Sequence, residues 1–179
     1  MSKLHKGITP KLREFIEQQK IFFVATATAD SRINLSPKGM DSLRVVNANR
    51  VVWLNVTGSG NETAAHVQEN PRMTLMFTAF EGNPMILRLY GNAQTIHMDD
   101  ADWQLLYPLF PEIPGARQIF DLNIDLVQTS CGFAVPLYDY VGEREQLNTW
   151  ASKKGNDGLK EYWKEKNNIS LDGKPTHFD

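Results

Sequence analysis

Residues 51–77 read VVWLNVTGSGNETAAHVQENPRMTLMF, and the order of textures in this stretch decides the fold. VVWLN is β-branched and aromatic and reads as a strand. Thr57-Gly58-Ser59-Gly60 breaks the run, and NETAAHVQEN has the composition of a helix. Pro71 ends that helix, because its ring disfavours helical backbone in the residue before it, and RMTLMF resumes as a strand. The Gly-rich segment is therefore a strand-to-helix turn.

Upstream, IFFVATATA, RINLS and LRVV precede VVWLN, separated by the turn-rich ADSR, SPKGMD and NANR, which predicts four closely spaced strands. Thr9 reads as an N-cap with Pro10 at the first helical position, and Leu12, Phe15 and Ile16 fall on one face of a short opening helix. Downstream, EGNP is a turn and MILRLYGNAQTIH a long strand bent at Gly91, where a missing side chain permits a bulge. Asp99 or Asp100 caps a helix over ADWQLLYPLF, which ends in the loop PEIPG. In FDLNIDLVQ, Phe120, Leu122, Ile124 and Leu126 alternate with Asp121, Asn123 and Asp125, which predicts a half-exposed strand closing or edging a barrel. Two helices, EREQLNTWASKK and GLKEYWKEKN, flank a break at residues 155–158, and SLDGKPTHFD forms a polar tail.

Many short strands with few helices between them predict a mainly β (α+β) fold, an antiparallel barrel rather than a doubly wound parallel sheet. No GxGxxG is present. The 179 residues, 41% of them hydrophobic, suit one domain spanning 1–179, with 143–179 as a C-terminal helical extension. The net charge of −2 supplies no field for a polyanion, so nucleic acid is not an expected partner. No apolar run reaches the length of a signal peptide or membrane span, and a cytoplasmic location is expected. Cys131 has no partner for an intrachain disulfide, and with His5, His66, His97 and His177 as the histidines no metal cluster is expected.

The chemistry concentrates at residues 57–63. A Gly-rich turn that opens a helix leaves backbone N–H groups pointing outward, where a phosphate fits. The hydroxyls of Thr57, Ser59 and Thr63 add donors, and Gly58 and Gly60 allow close approach. The plainer reading is a loop in which Ser59 or Asn61 caps the helix. Lys38, in Ser36-Pro37-Lys38-Gly39, offers a cation beside the turn, although a turn lysine is ordinarily solvated. Arg88 sits mid-strand between apolar residues, where a cation needs an anionic ligand or an ion pair with Glu62 or Asp41. His66 is placed on the surface of the helix, and Cys131 and the tryptophans Trp150 and Trp163 are read as packing residues. The chain offers no nucleophile elbow, no HExxH and no suggestive carboxylate pair, so no catalytic side chain is assigned.

VVWLNVT, GSGNETAAHVQENP and RMTLMF in this order, with SPKG upstream and SCGFAVP downstream, resemble the pyridoxamine 5′-phosphate oxidase-like, FMN-binding split-barrel proteins, most closely over residues 15–80. The resemblance implies a six-stranded antiparallel split β-barrel with peripheral helices. It also implies a homodimer with flavin mononucleotide (FMN) at the subunit interface. Cofactor contacts carried over from it fall on Ser36, Lys38, Gly39, Val56, Thr57, Asn61, Glu62 and Thr63, with Arg88 on a strand that supplies a further contact. The vitamin oxidase itself has an Arg-Lys pair where this chain has Glu62 and Thr63, and its C-terminal pattern is not matched, so pyridoxamine phosphate is not the expected substrate. The implied function is FMN-dependent oxidation or reduction of a small molecule. The alternatives are a non-catalytic flavin or ligand carrier or sensor, and a barrel holding deazaflavin F420 or haem.

Overall fold

In the computed structural model, which describes residues 2–177, eight strands form one antiparallel sheet among the described residues. Phe178 and Asp179 of the expected polar tail lie outside them. The chain runs β1 (Lys3–His5), α1 (Pro10–Gln18), β2 (Phe22–Thr26), β3 (Asn34–Lys38), β4 (Leu43–Asn47), β5 (Arg50–Val56), α2 (Glu62–Glu69), β6 (Arg72–Thr78), β7 (Ile86–Ile96), α3 (Ala101–Leu106), β8 (Ala116–Ser130) and α4 (Gln146–Tyr162).

Hydrogen-bonded neighbours follow the order β3-β2-β6-β7-β8-β5-β4, with β1 on the free part of β8. The two ends of this path, β3 and β4, are joined by residues 39–42 alone. Laid flat, the outer two of seven strands would stand about 29 Å apart at ~4.8 Å per step. The link between them reaches at most about 18 Å when fully extended. The sheet must therefore curl until β3 and β4 approach, and the hydrogen bonding stays open between them. This is an antiparallel split barrel, with eight strands where six were expected. β1 escapes the sequence reading because Lys3-Leu4-His5 has no apolar alternation and becomes a strand only by pairing with residues 127–129 of β8.

The barrel interior holds Val24, Trp53, Leu75, Leu87, Leu89, Phe120 and Leu122, all fully buried, with Leu12 and Ile16 of α1 and Val67 of α2 closing over it. The Trp53 and Phe120 rings stack at 4.6 Å. A second apolar layer lies outside, where Val52 and Leu54 of β5 and Ile119 of β8 meet Trp103 and Leu106 of α3. α1 begins as expected, with Thr9 Oγ1 accepting from Leu12 N. Asp100 occupies the N-cap position of α3, but its carboxylate accepts from His97 N at 2.7 Å instead of capping the helix.

β8 corrects the sequence reading. It is not at an edge: it is fifteen residues long, lies between β7 on one side and β5 and β1 on the other, and is buried on both faces over its first seven residues, while the expected alternation holds from Leu122 to Asp125, with Asn123 and Asp125 exposed. The alternation fails at Asp121, where both faces are covered. Asp121 is buried in an ion pair with Arg50 (2.8 Å), and beyond residue 125 the phase flips, leaving Leu126 exposed and Val127 buried. The flip follows a register shift at Gly91; a bulge was expected there in β7, but the extra residue is Asp125 of β8, since Tyr90 faces Leu126 and Gly91 faces Ile124.

α4 breaks at Gly155 (φ +66°), the interruption expected between two helices. At its end Trp163 Nε1 donates to Thr57 Oγ1 at 2.8 Å, seating the C-terminal helix on the end of β5. Trp163→Phe removes this donor while keeping a ring, and we expect it to lower stability by about 1–2 kcal/mol, read as a lower midpoint in urea.

Candidate functional site

β3 runs beside the turn that opens α2. Side chains alternate along a strand, so Asn34, Ser36 and Lys38 share one face of β3. That face, the turn and the start of α2 wall a pocket of about 440 Å³, lined by Asn34, Ser36, Lys38, Asn55, Ser59, Asn61, Glu62 and Thr63, with Arg117 of β8 at its base and Leu171 at its rim. Six residues singled out in the sequence, Ser36, Lys38, Ser59, Asn61, Glu62 and Thr63, therefore meet in one place.

Their roles differ. Thr63 Oγ1 accepts from Asn34 Nδ2 at 3.1 Å, which leaves its hydroxyl proton to donate. Asn61 is buried and does not cap α2 through its side chain; it exchanges amide hydrogen bonds with Gln118 (2.9 and 3.4 Å), tying the helix start to β8. Ser36 Oγ is buried with no hydrogen-bond partner among the described residues, a state that costs free energy unless a ligand or water completes it.

Two cations share the pocket. Lys38 makes no ion pair among the described residues; its Nζ lies 5.3 Å from the centre of the Trp53 ring. Burial, reinforced by repulsion from Arg117, pulls its ammonium down to about 8. Arg117 is 2% exposed; it donates to Asn167 Oδ1 at 2.6 Å and to Gly60 O at 3.3 Å. Burial pulls it down to about 9, so it remains charged at neutral pH. A lysine held partly out of water without an ion pair, as Lys38 is among the described residues, favours an anion beside it.

The Lys38 shift sets a pH dependence. Its ordinary value is 10.5 and its folded value about 8, so between these pH values the unfolded chain holds a proton that the native state has lost. Stability from this group therefore rises as pH rises through that window. An anion in the pocket favours the ammonium and reverses the effect, so its binding should take up protons at pH 8–9. Calorimetry in buffers of different ionisation enthalpy would show this uptake, and Lys38→Met should remove most of it.

The other expected residues lie elsewhere. Thr57 is buried, and its hydroxyl is committed to Gly115 O (2.8 Å) and Trp163, which explains its position at the turn without a ligand. Val56 packs against the outer apolar layer. Gly39 lines an adjoining groove with Lys20 and Glu143, which Lys38 also borders. Arg88 donates to Ser130 Oγ at 3.2 Å, away from the pocket. Neither carboxylate considered for it is its partner: Asp41 pairs with Arg44 at 2.7 Å, and Glu62 accepts from Leu171 N. His66 is not on the helix surface; it is 1% exposed, on the face of α2 against β2, with Nδ1 at 3.1 Å from Thr26 Oγ1. Trp163 packs as expected, and Trp150 meets Tyr162 edge-on at 5.1 Å. Cys131 is exposed rather than packed, and no metal-binding cluster occurs among the described residues.

Arg117, Gln118, Asn34 and Asn167 escaped the sequence reading. Arg117-Gln118 interrupts the apolar approach to FDLNIDLVQ, the same anomaly that singled out Arg88. The alternating strand starting three residues later drew attention away from it.

The family model for pyridoxamine 5′-phosphate oxidase matches residues 8–131. A pyridoxamine 5′-phosphate oxidase family protein of Aspergillus flavus, ustO, is 35% identical, over 98% of this chain and 78% of its own length. Among solved structures, a candidate pyridoxamine 5′-phosphate oxidase of Lactobacillus delbrueckii superposes with a TM-score of 0.54 at 21% identity, over 69% of this chain and 94% of its own. HupZ of Group A Streptococcus superposes with a TM-score of 0.52 at 17% identity, over 66% of this chain and 91% of its own. These two likenesses concern the fold.

Proposed function

The chain belongs to the pyridoxamine 5′-phosphate oxidase family, and on that basis we propose that it binds FMN, with the phosphate in the Lys38–Arg117 pocket, and acts as an FMN-dependent oxidoreductase on a small molecule. The observation that carries this reading is the convergence of the half-buried Lys38, the buried Arg117 and the unpartnered Ser36 hydroxyl on the Gly-rich start of α2. A phosphomonoester dianion suits this set: it accepts from both cations, from Ser36 and Thr63, and from backbone N–H groups of the turn.

The departure at Glu62-Thr63 from the vitamin oxidase is compatible with this. The positive charge comes instead from β3 and β8, across the pocket. When bound, FMN supplies a ring that accepts a hydride and passes electrons onward, while the protein contributes orientation and electrostatics. Lys38 borders both the phosphate pocket and the groove of Lys20 and Glu143, so a ligand longer than a phosphate has room to extend past it. The same reading takes the active form to be a homodimer with the flavin at the subunit interface.

The test is an absorption spectrum of the protein after mixing with FMN and removing excess by gel filtration, with the elution volume recorded. A flavin band on a dimer-sized peak is expected. A colourless peak would remove the cofactor, and a flavin-loaded monomer would remove the interface site. Oxidation of reduced nicotinamide by the loaded protein then separates an enzyme from a carrier.

A further inference from the structure

Glu62 is out of place in a phosphate pocket. It is the first residue of α2 and lines the same space as Lys38 and Arg117, where a carboxylate would repel a phosphate and compete with it for both cations. Its carboxylate is instead engaged at the pocket's edge by the chain's own backbone. Both carboxylate oxygens accept from the backbone N–H of Leu171, at 3.0 and 3.2 Å. The carboxylate also leans over the loop at Gly60, where a Cβ would sit 3.1 Å from Oε1.

The segment that supplies this N–H is built to stay in place. Asn167, fully buried, donates to Gly58 O at 3.2 Å and accepts from Arg117. Ile169 and Pro175 then pair, Ser170 N donates to Lys174 O at 2.8 Å, and the turn between them closes at Gly173 (φ +77°). Two charged residues stake the turn to the body of the protein. Asp172 pairs with Arg32 and accepts its backbone N–H at 2.8 Å. Lys174 reaches Asp30 at 2.8 Å and Glu69, at the far end of α2, at 2.7 Å.

We propose that residues 167–176 form a clasp that holds the Glu62 carboxylate out of the anion pocket, so that anion affinity depends on contacts made outside it. The inference rests on the phosphate reading of the pocket. Glu62 acts here as a positioning residue: its effect on the ligand depends on which way the tail turns it. Gly60 belongs to the device, because a side chain there would push the carboxylate off the loop.

The test uses the full chain with Arg32→Ala and Lys174→Ala combined, since exposed ion pairs are individually weak. FMN and inorganic phosphate are titrated separately, with a thermal melt to verify folding. Releasing the clasp should weaken both ligands about tenfold, and adding Glu62→Gln should recover most of that loss. The gain from Glu62→Gln should be several times larger in the released background than in the parent. Unchanged binding in the double variant, or a loss that Glu62→Gln does not recover, would overturn the clasp. A parent that binds phosphate but not FMN would overturn the flavin reading, and the phosphate titration would then decide the clasp. A parent that binds neither would overturn both.

Discussion

Arg117→Met should lower FMN affinity by tens- to a hundredfold, the largest loss expected from any single change in the pocket. A hydrogen bond to a charged partner contributes about 1.5–3 kcal/mol, which spans that range at equilibrium. Arg117 is buried at the pocket base, so water cannot replace it as it would at a rim. Methionine keeps much of the length and removes the charge. Stability should fall by only about 1–2 kcal/mol, because Asn167 Oδ1 and Gly60 O lose their donor while the repulsion on Lys38 is relieved. That relief separates a lost pocket charge from general damage. The Lys38 ammonium should persist to higher pH in the variant, so the proton uptake on anion binding should move upward from pH 8. A flavin fluorescence titration across pH measures both effects. Affinity within threefold of the parent would take the phosphate away from this pocket.

Gly91→Ala should destabilise the protein by about 3–5 kcal/mol, enough to leave much of it unfolded or insoluble. A Cβ at this position would lie 2.0 Å from Asn123 O, 2.8 Å from Asn123 C and 3.0 Å from Ile124 Cα. All three are backbone atoms of β8, the strand to which β7, β5 and β1 are bonded, so none can yield without parting the sheet. The glycine is what lets the β7 backbone approach β8 this closely at the register shift. Gly58→Ala is the control: its Cβ would come no closer than 4.0 Å to any neighbour, and its stability should be close to that of the parent. Chemical denaturation of both variants checks the pair. Equal midpoints would mean that the bulge can relax, and the close approach would then not require a glycine.

Local signals made much of this molecule legible in the sequence. Thr9-Pro10, the strand–turn–helix–strand order of residues 51–77, the irregular pairing at Gly91 and the break near Gly155 are written in residues whose backbone preferences act within a few positions. The glycine-rich turn was legible for the same reason, because glycines between a strand and a helix start break both patterns wherever they occur. The alternation in FDLNIDLVQ held at residues 122–125 and misled at Asp121, because it reports which faces are polar, not whether something covers them. Asp121 looked solvent-facing and is buried against Arg50, which only the neighbouring strand β5 supplies.

Propensity, turn chemistry and hydrophobic pattern are local properties, and they were enough to specify a mainly β protein with a glycine-rich strand-to-helix turn and a lysine beside it. Which charges share that pocket was settled by the folded chain. Residues 39–42 join the two ends of the sheet and force it to curl, the segment after α4 delivers Asn167 and Leu171 to the loop, and β8 sets Arg117 beneath it. Lys38 and Arg117 are 79 positions apart in the chain (117 − 38) and meet only because the barrel forms, and a contact across that distance leaves no trace in either residue's neighbours in sequence.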